Sequence, residues 1–140
     1  MTSRCRTSSG WATHESIDGT HTFIWMDNEP KRLSSVAAAA LSDPANEVFL
    51  SIVSVWEIII KVQAGKIILR APLSQMIADQ QANQVHVLSV ILVDAVAIET
   101  LPPVHKDPFD RLLAAQSIAE DMELVTADPI FAQYPVRVLW

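Results

Sequence analysis

The feature that most narrows the fold is a run of short apolar segments set between longer, helix-length ones. Glu47 to Ser51, Val85 to Val90, Glu123 to Thr126 and Val136 to Leu139 each read as a strand. Between them, an apolar helix starts at Ser51 or Ser54 and stops near Gly65, where glycine suits a helix end. Further helices are expected from Pro72 to about Asn83, from Leu92 to Thr100, and from Asp107 to about Asp121. Ser34 or Ser35 caps a shorter one through the alanines to Leu41, and Pro129 to Gln133 reads as a helical turn. Short apolar strands alternating with helices imply an α/β fold, a parallel sheet covered on both faces.

Size and composition fit one such domain. The chain has 140 residues, half of them hydrophobic and 19% charged, which excludes disorder for most of its length. A single cysteine, Cys5, excludes an internal disulfide and a cysteine-based zinc site, and points to a reducing, cytoplasmic setting. The net charge of −6 argues against holding a phosphate backbone by bulk charge. It leaves open a nucleic acid held as substrate through metal ions. The most apolar run, Val48 to Val62, contains Glu57 and falls short of a membrane span. Residues 1–16 show no period of 2 or 3.6 and no apolar core of a secretory signal. They are expected to be a disordered arm, with the domain over 17–140.

Three acidic positions call for an explanation. Glu57 is the only acid between Glu47 and Asp79, in a helix apolar nearly all round. A buried lone carboxylate costs several kcal/mol, so it needs either a cation such as a divalent metal or the Lys61 ammonium one turn later. Asp107 and Asp110 open a helix. Capping explains Asp107 fully, with Pro108 at the first helical position, and Asp110 only in part. Arg111 beside them is a charge partner or a phosphate contact. Asp128 follows a strand, where ligands gather in parallel sheets, but it is equally an N-cap for the turn at Pro129. Thr126 lies at the same strand end. Convergence of these acids in one crevice would require Mg²⁺ or Mn²⁺ and would suit metal-assisted phosphodiester hydrolysis.

Four segments in order carry a resemblance: Thr20 to Trp25, then Leu50-Ser51 with Ser54-Val55-Trp56-Glu57-Ile58, then Leu101-Pro102-Pro103 with His105 to Gln116, and Leu124 to Pro129 with Phe131. Together they resemble PIN-domain proteins, and within these the VapC toxins of type II toxin–antitoxin systems, over about residues 20–140. The resemblance implies a three-layer α/β/α sandwich with a central parallel sheet. It also implies a Mg²⁺- or Mn²⁺-dependent endoribonuclease acting on structured RNA, a VapB-type antitoxin as partner, and a toxin homodimer. By the same resemblance Glu57, Asp110 and Asp128 are the catalytic acids. Glu57 and Asp110 hold metal, Asp128 completes the anionic cup, Thr126 orients a ligand and Arg111 contacts phosphate. His21 is expected to be structural, and Trp25 and Trp56 to be core.

The amino terminus departs from this pattern. Gly19 occupies the position of the family's first catalytic Asp, and Asp18 stands one residue early. One residue of offset turns a strand side chain to the other face. Asp18 reaches the metal only if the backbone bulges at Gly19. The preceding stretch lacks the apolar residues of a central strand, as a shifted reading frame or a misplaced start would leave it. The alternative is therefore a catalytically impaired PIN domain that works as an antitoxin-binding module. Ile17-Asp18-Gly19-Thr20 also echoes the loop of haloacid-dehalogenase-like phosphatases, but their nucleophile position holds Ser16. Gly65-Lys66 lacks the approach of a phosphate-binding loop, and the four histidines are scattered.

Overall fold

The computed structural model describes the backbone of residues 2–7, 10–15 and 19–20, and backbone with side chains over residues 21–104 and 106–140. In chain order the elements are β1 (Thr2–Thr7), β2 (Gly10–Glu15), α1 (Gly19–Asn28), α2 (Ser35–Ser42), β3 (Asn46–Ser51), α3 (Ile52–Gln63), α4 (Leu73–Ala82), β4 (Val85–Leu88), α5 (Leu92–Val96), α6 (Pro108–Ala119), β5 (Glu123–Val125) and β6 (Arg137–Leu139). Short 3-10 turns occupy Pro30–Arg32, Ala97–Thr100 and Pro129–Gln133.

The local signals act as expected. Ser34 Oγ accepts from the Ala37 amide at 3.0 Å, Ser51 Oγ from the Val53 amide at 3.1 Å, and Asp107 Oδ1 from the Phe109 amide at 2.9 Å. Each meets a donor that a helix start leaves unsatisfied. Gly65 ends α3 with φ +72°, while the Lys66 amide reaches back to the Lys61 carbonyl at 2.9 Å. That is the six-to-one closure of a glycine-terminated helix. Leu92 to Thr100, expected as one helix, divides into α5 and a 3-10 turn. α1 was not marked by the sequence pattern.

The fold is α/β. Strand order is β4-β3-β1-β5-β6, with β2 paired to β1. β3 pairs with β4 in parallel (Val48 opposite Val85), and β5 with β6 in parallel (Leu124 opposite Val138). β1 lies between these pairs and runs antiparallel to both, with Arg4 opposite Glu47 and Thr2 opposite Leu124. The segment expected to be a disordered arm thus contributes two strands among its described residues. The inner edges of β3 and β5 offer unpaired backbone groups, and any extended segment can satisfy them without an apolar side-chain pattern.

Two buried clusters form the core. One gathers Phe23 and Ile24 of α1, Val48 and Leu50 of β3, Ile58 of α3, Met76 of α4 and Val85 of β4. The other gathers Val53, Leu113 to Ala115 of α6, Leu124 of β5, and Phe131 with Tyr134. One expectation fails: α3 is not buried all round. Val53, Ser54, Glu57 and Ile58 face inward, whereas Ile52, Trp56, Ile59 and Ile60 are exposed, Trp56 by 56%. Apolar content marks a helix as sticky but does not say what covers each face. Trp25 is half-buried, between His21 (centroids 5.5 Å) and Trp140 (6.0 Å). No helix among the described residues is long and apolar enough to cross a membrane.

Candidate active site

The candidate acids lie inside α3 (Glu57), in the first turn of α6 (Asp110) and just after β5 (Asp128). Ser51, the last residue of β3, caps α3, and two turns later α3 presents Glu57 on its inward face, 7% exposed. Its carboxylate meets Lys61 Nζ at 2.8 Å. Of the two partners considered for this buried acid, the lysine is thus present. Ser54 lies one turn before Glu57 on the same face, fully buried, and its hydroxyl has no hydrogen-bond partner among the described residues.

Asp110 sits in the first turn of α6, half-buried, where the helix dipole favours negative charge. Asp107 supplies the cap and also accepts from the Asp110 amide at 3.0 Å. The Trp56 ring meets Phe109 edge to face, centroids 4.8 Å apart. This contact sets the α3 turn carrying Glu57 against the α6 start carrying Asp110. Arg111 is half-buried, and its Nη1 donates to the Pro102 carbonyl at 3.1 Å.

Thr126 and Asp128 follow β5. Thr126 is buried, and its Oγ1 accepts from the Asp128 amide at 2.9 Å. Asp128 Oδ1 in turn accepts from the Ile130 amide at 3.0 Å, so the capping reading of Asp128 holds. Thr22 Oγ1 donates to the Val125 carbonyl at 3.4 Å and ties α1 to the carboxyl end of β5. α1 itself begins at Gly19. Asp18 lies outside the described residues.

Sequence reasoning missed a buried polar network beside these acids. Ser51 Oγ donates to Gln116 Oε1 at 2.5 Å, and Gln116 Nε2 donates to the Ser89 carbonyl at 3.1 Å and to Asp94 Oδ2 at 3.2 Å. Asp94 Oδ2 also accepts from the Ile91 amide at 3.0 Å. Ser51, Asp94 and Gln116 are all fully buried. The network locks the α3 cap, the end of β4, α5 and α6 together. Its one legible signal was Gln116, which stands three residues after Leu113 on the apolar stripe of α6.

The carboxylate oxygens and the orphaned Ser54 hydroxyl are the donor type a hard divalent cation takes. The number does not suffice. Among the described residues no group of three His, Cys, Asp or Glu side chains is placed to hold a metal ion. The described acids therefore do not by themselves form a complete cation site.

The fold is a small α/β domain with candidate acids in α3, at the start of α6 and after β5. The family model of the PIN domain matches residues 20–136, and the chain belongs to the PIN-domain family. PIN domains are generally nucleases that use divalent metals. No curated protein and no solved structure matches the chain.

Proposed function

We propose that this PIN domain is a Mg²⁺- or Mn²⁺-dependent endoribonuclease, the VapC-like toxin of a type II toxin–antitoxin system. The observation that carries this reading is the Trp56–Phe109 contact, which joins the helix turn bearing Glu57 to the one bearing Asp110. In this reading Glu57 and Asp110 are metal ligands, with Asp18 and Asp128 completing the set. Thr126 acts through the Asp128 amide it holds, and Arg111, whose Nη1 donates to the Pro102 carbonyl, contacts phosphate. The exposed apolar face of α3 continues into a groove of about 530 Å³ lined by Ile59, Val62, Ile67, Ile68 and Leu69. Such a surface supports the partners of this reading, a VapB-type antitoxin and a second copy of the chain.

A second reading is favoured by Gly19 and by the lack of a three-ligand group among the described residues. It is a PIN domain with impaired cleavage that works by binding its antitoxin. Cleavage of a structured RNA in Mn²⁺ separates the two. The first reading expects activity that falls at least about a hundredfold in Glu57→Gln and Asp110→Asn. The second expects little activity in the native chain and a gain in Gly19→Asp. Activity untouched by Glu57→Gln would remove the site assignment altogether.

A further inference from the structure

Glu57 presents a problem that the fold must solve before any ligand arrives. Its side chain is 9% exposed, on a helix face otherwise made of Val53, Ser54 and Ile58. A carboxylate in such surroundings is tolerated only with a partner of opposite charge or by giving up its charge. In the family's expected chemistry that partner is a divalent cation, yet the described residues do not assemble three ligands for one. They do supply an ammonium. Lys61 stands four residues after Glu57, in the favourable acid-to-base order along the helix, with Nζ 2.8 Å from the carboxylate. The Lys61 side chain is itself only 31% exposed, so this is not a solvated surface pair. The turn that bears it is held in place: the Lys61 carbonyl accepts the Lys66 amide that closes α3 at Gly65.

We infer that Lys61 is the resident counter-ion of the acidic site: the chain folds around Glu57 without a divalent cation, and a cation that enters must displace the lysine. Lys61 is then a positioning residue. It holds the Glu57 side chain in place in the cation-free protein, and it sets how weakly that carboxylate takes a metal. The inference rests on the reading of Glu57 as a metal ligand. Opposite charges this close and only partly exposed attract strongly. Losing that attraction on metal entry weakens metal binding by about tenfold or more.

The test is thermal unfolding and Mn²⁺ titration calorimetry on the full chain and its variants. The native chain should show a melting temperature that Mn²⁺ barely moves. Lys61→Met should melt several degrees lower without metal, recover on adding Mn²⁺, and bind Mn²⁺ about tenfold more tightly. Lys61→Arg should behave as the native chain in both measurements, which a merely steric role of the lysine stem would not predict. The double variant Glu57→Gln/Lys61→Met has no buried charge to balance. It should regain stability and lose the Mn²⁺ response, and it keeps the test open if Lys61→Met alone does not fold. Equal Mn²⁺ affinity and equal metal-free melting in the native chain and Lys61→Met would overturn the inference and leave the metal-site reading standing. No Glu57-dependent Mn²⁺ binding in either protein would remove both.

Discussion

α3 and α6 are near twins in construction and opposites in placement. Each has twelve residues, begins behind a capping side chain, and carries one candidate catalytic acid. Each ends in the same six-to-one closure, Lys66 to Lys61 in α3 and Met122 to Ser117 in α6. The difference lies in what faces inward. α6 buries Leu113, two alanines and Gln116 and leaves Asp110 at its half-buried amino end. α3 buries Ser54 and Glu57 and leaves Ile52, Trp56, Ile59 and Ile60 outside. An acid at a helix start is stabilised by the backbone itself, whereas an acid in the middle of a buried face needs a counter-charge. α6 thus has the build of a structural helix with a functional end. α3 has the build of a helix with the Glu57–Lys61 pair on its inner side and an apolar surface outside.

The largest expected effect breaks the link between the two helices. Gln116→Ala removes the donor to Asp94 and the acceptor of Ser51 at once, both in the fully buried interior. Leaving such groups unsatisfied costs about 1–3 kcal/mol, and more when one is a carboxylate. Urea unfolding should show a loss near the top of that range, and a loss under ~0.5 kcal/mol would show that the network is not a structural lock.

A smaller effect separates the two closures. The residue at positive φ is Gly65 (φ 72°) after α3 but Asp121 (φ 52°) after α6. A left-handed residue with a Cβ is less stable by about 1–2 kcal/mol than glycine there, Asp being among the better tolerated. A Cβ at Gly65 would meet no atom within 4 Å, so Gly65→Ala should cost about 1 kcal/mol through the backbone alone. Asp121→Gly should stabilise by up to about 1 kcal/mol, less what the exposed pair with Arg137 at 3.0 Å contributes. Opposite signs in paired denaturation curves are the expected outcome, and equal signs would break the analogy between the helix ends.

The smallest effect concerns the strand that follows α6. Burial raises the Glu123 carboxyl above its ordinary value, and Arg137 only partly offsets this. A carboxyl whose folded pKa is raised binds protons more tightly in the folded state. It therefore subtracts stability as pH rises from the ordinary carboxylate value through the raised one, and the penalty stays above that window. Glu123→Gln should raise the melting temperature slightly at neutral pH and leave it unchanged where the glutamate is protonated. A larger gain at acid pH would contradict this sign.

Much of the scaffold was legible. Ser34, Ser51, Asp107 and Gly65 act through groups within a few residues of themselves, so their roles could be read from spacing. The motifs at Glu57, Asp110 and Asp128 marked the family, and the family match over residues 20–136 agrees with them. What spacing did not resolve was the competition between local and distant partners. Glu57 had a lysine and a metal as candidates, and the lysine is present at 2.8 Å. Asp128 had a capping and a ligand role, and its Oδ1 serves the cap. Trp56 looked like core because it sits in an apolar run, but it lies on the outward side of α3.

The order of elements from α2 onward, the caps and the helix stop at Gly65 were determined by the sequence alone, because each depends on residue identity or on neighbours in the chain. The tertiary structure decided the rest. It placed an antiparallel β1 between two parallel pairs, buried Gln116 against Asp94 and Ser51, and turned the polar side of α3 inward. These outcomes depend on which surfaces meet across dozens of residues, where backbone pairing and the cost of an unsatisfied buried group outweigh local preference.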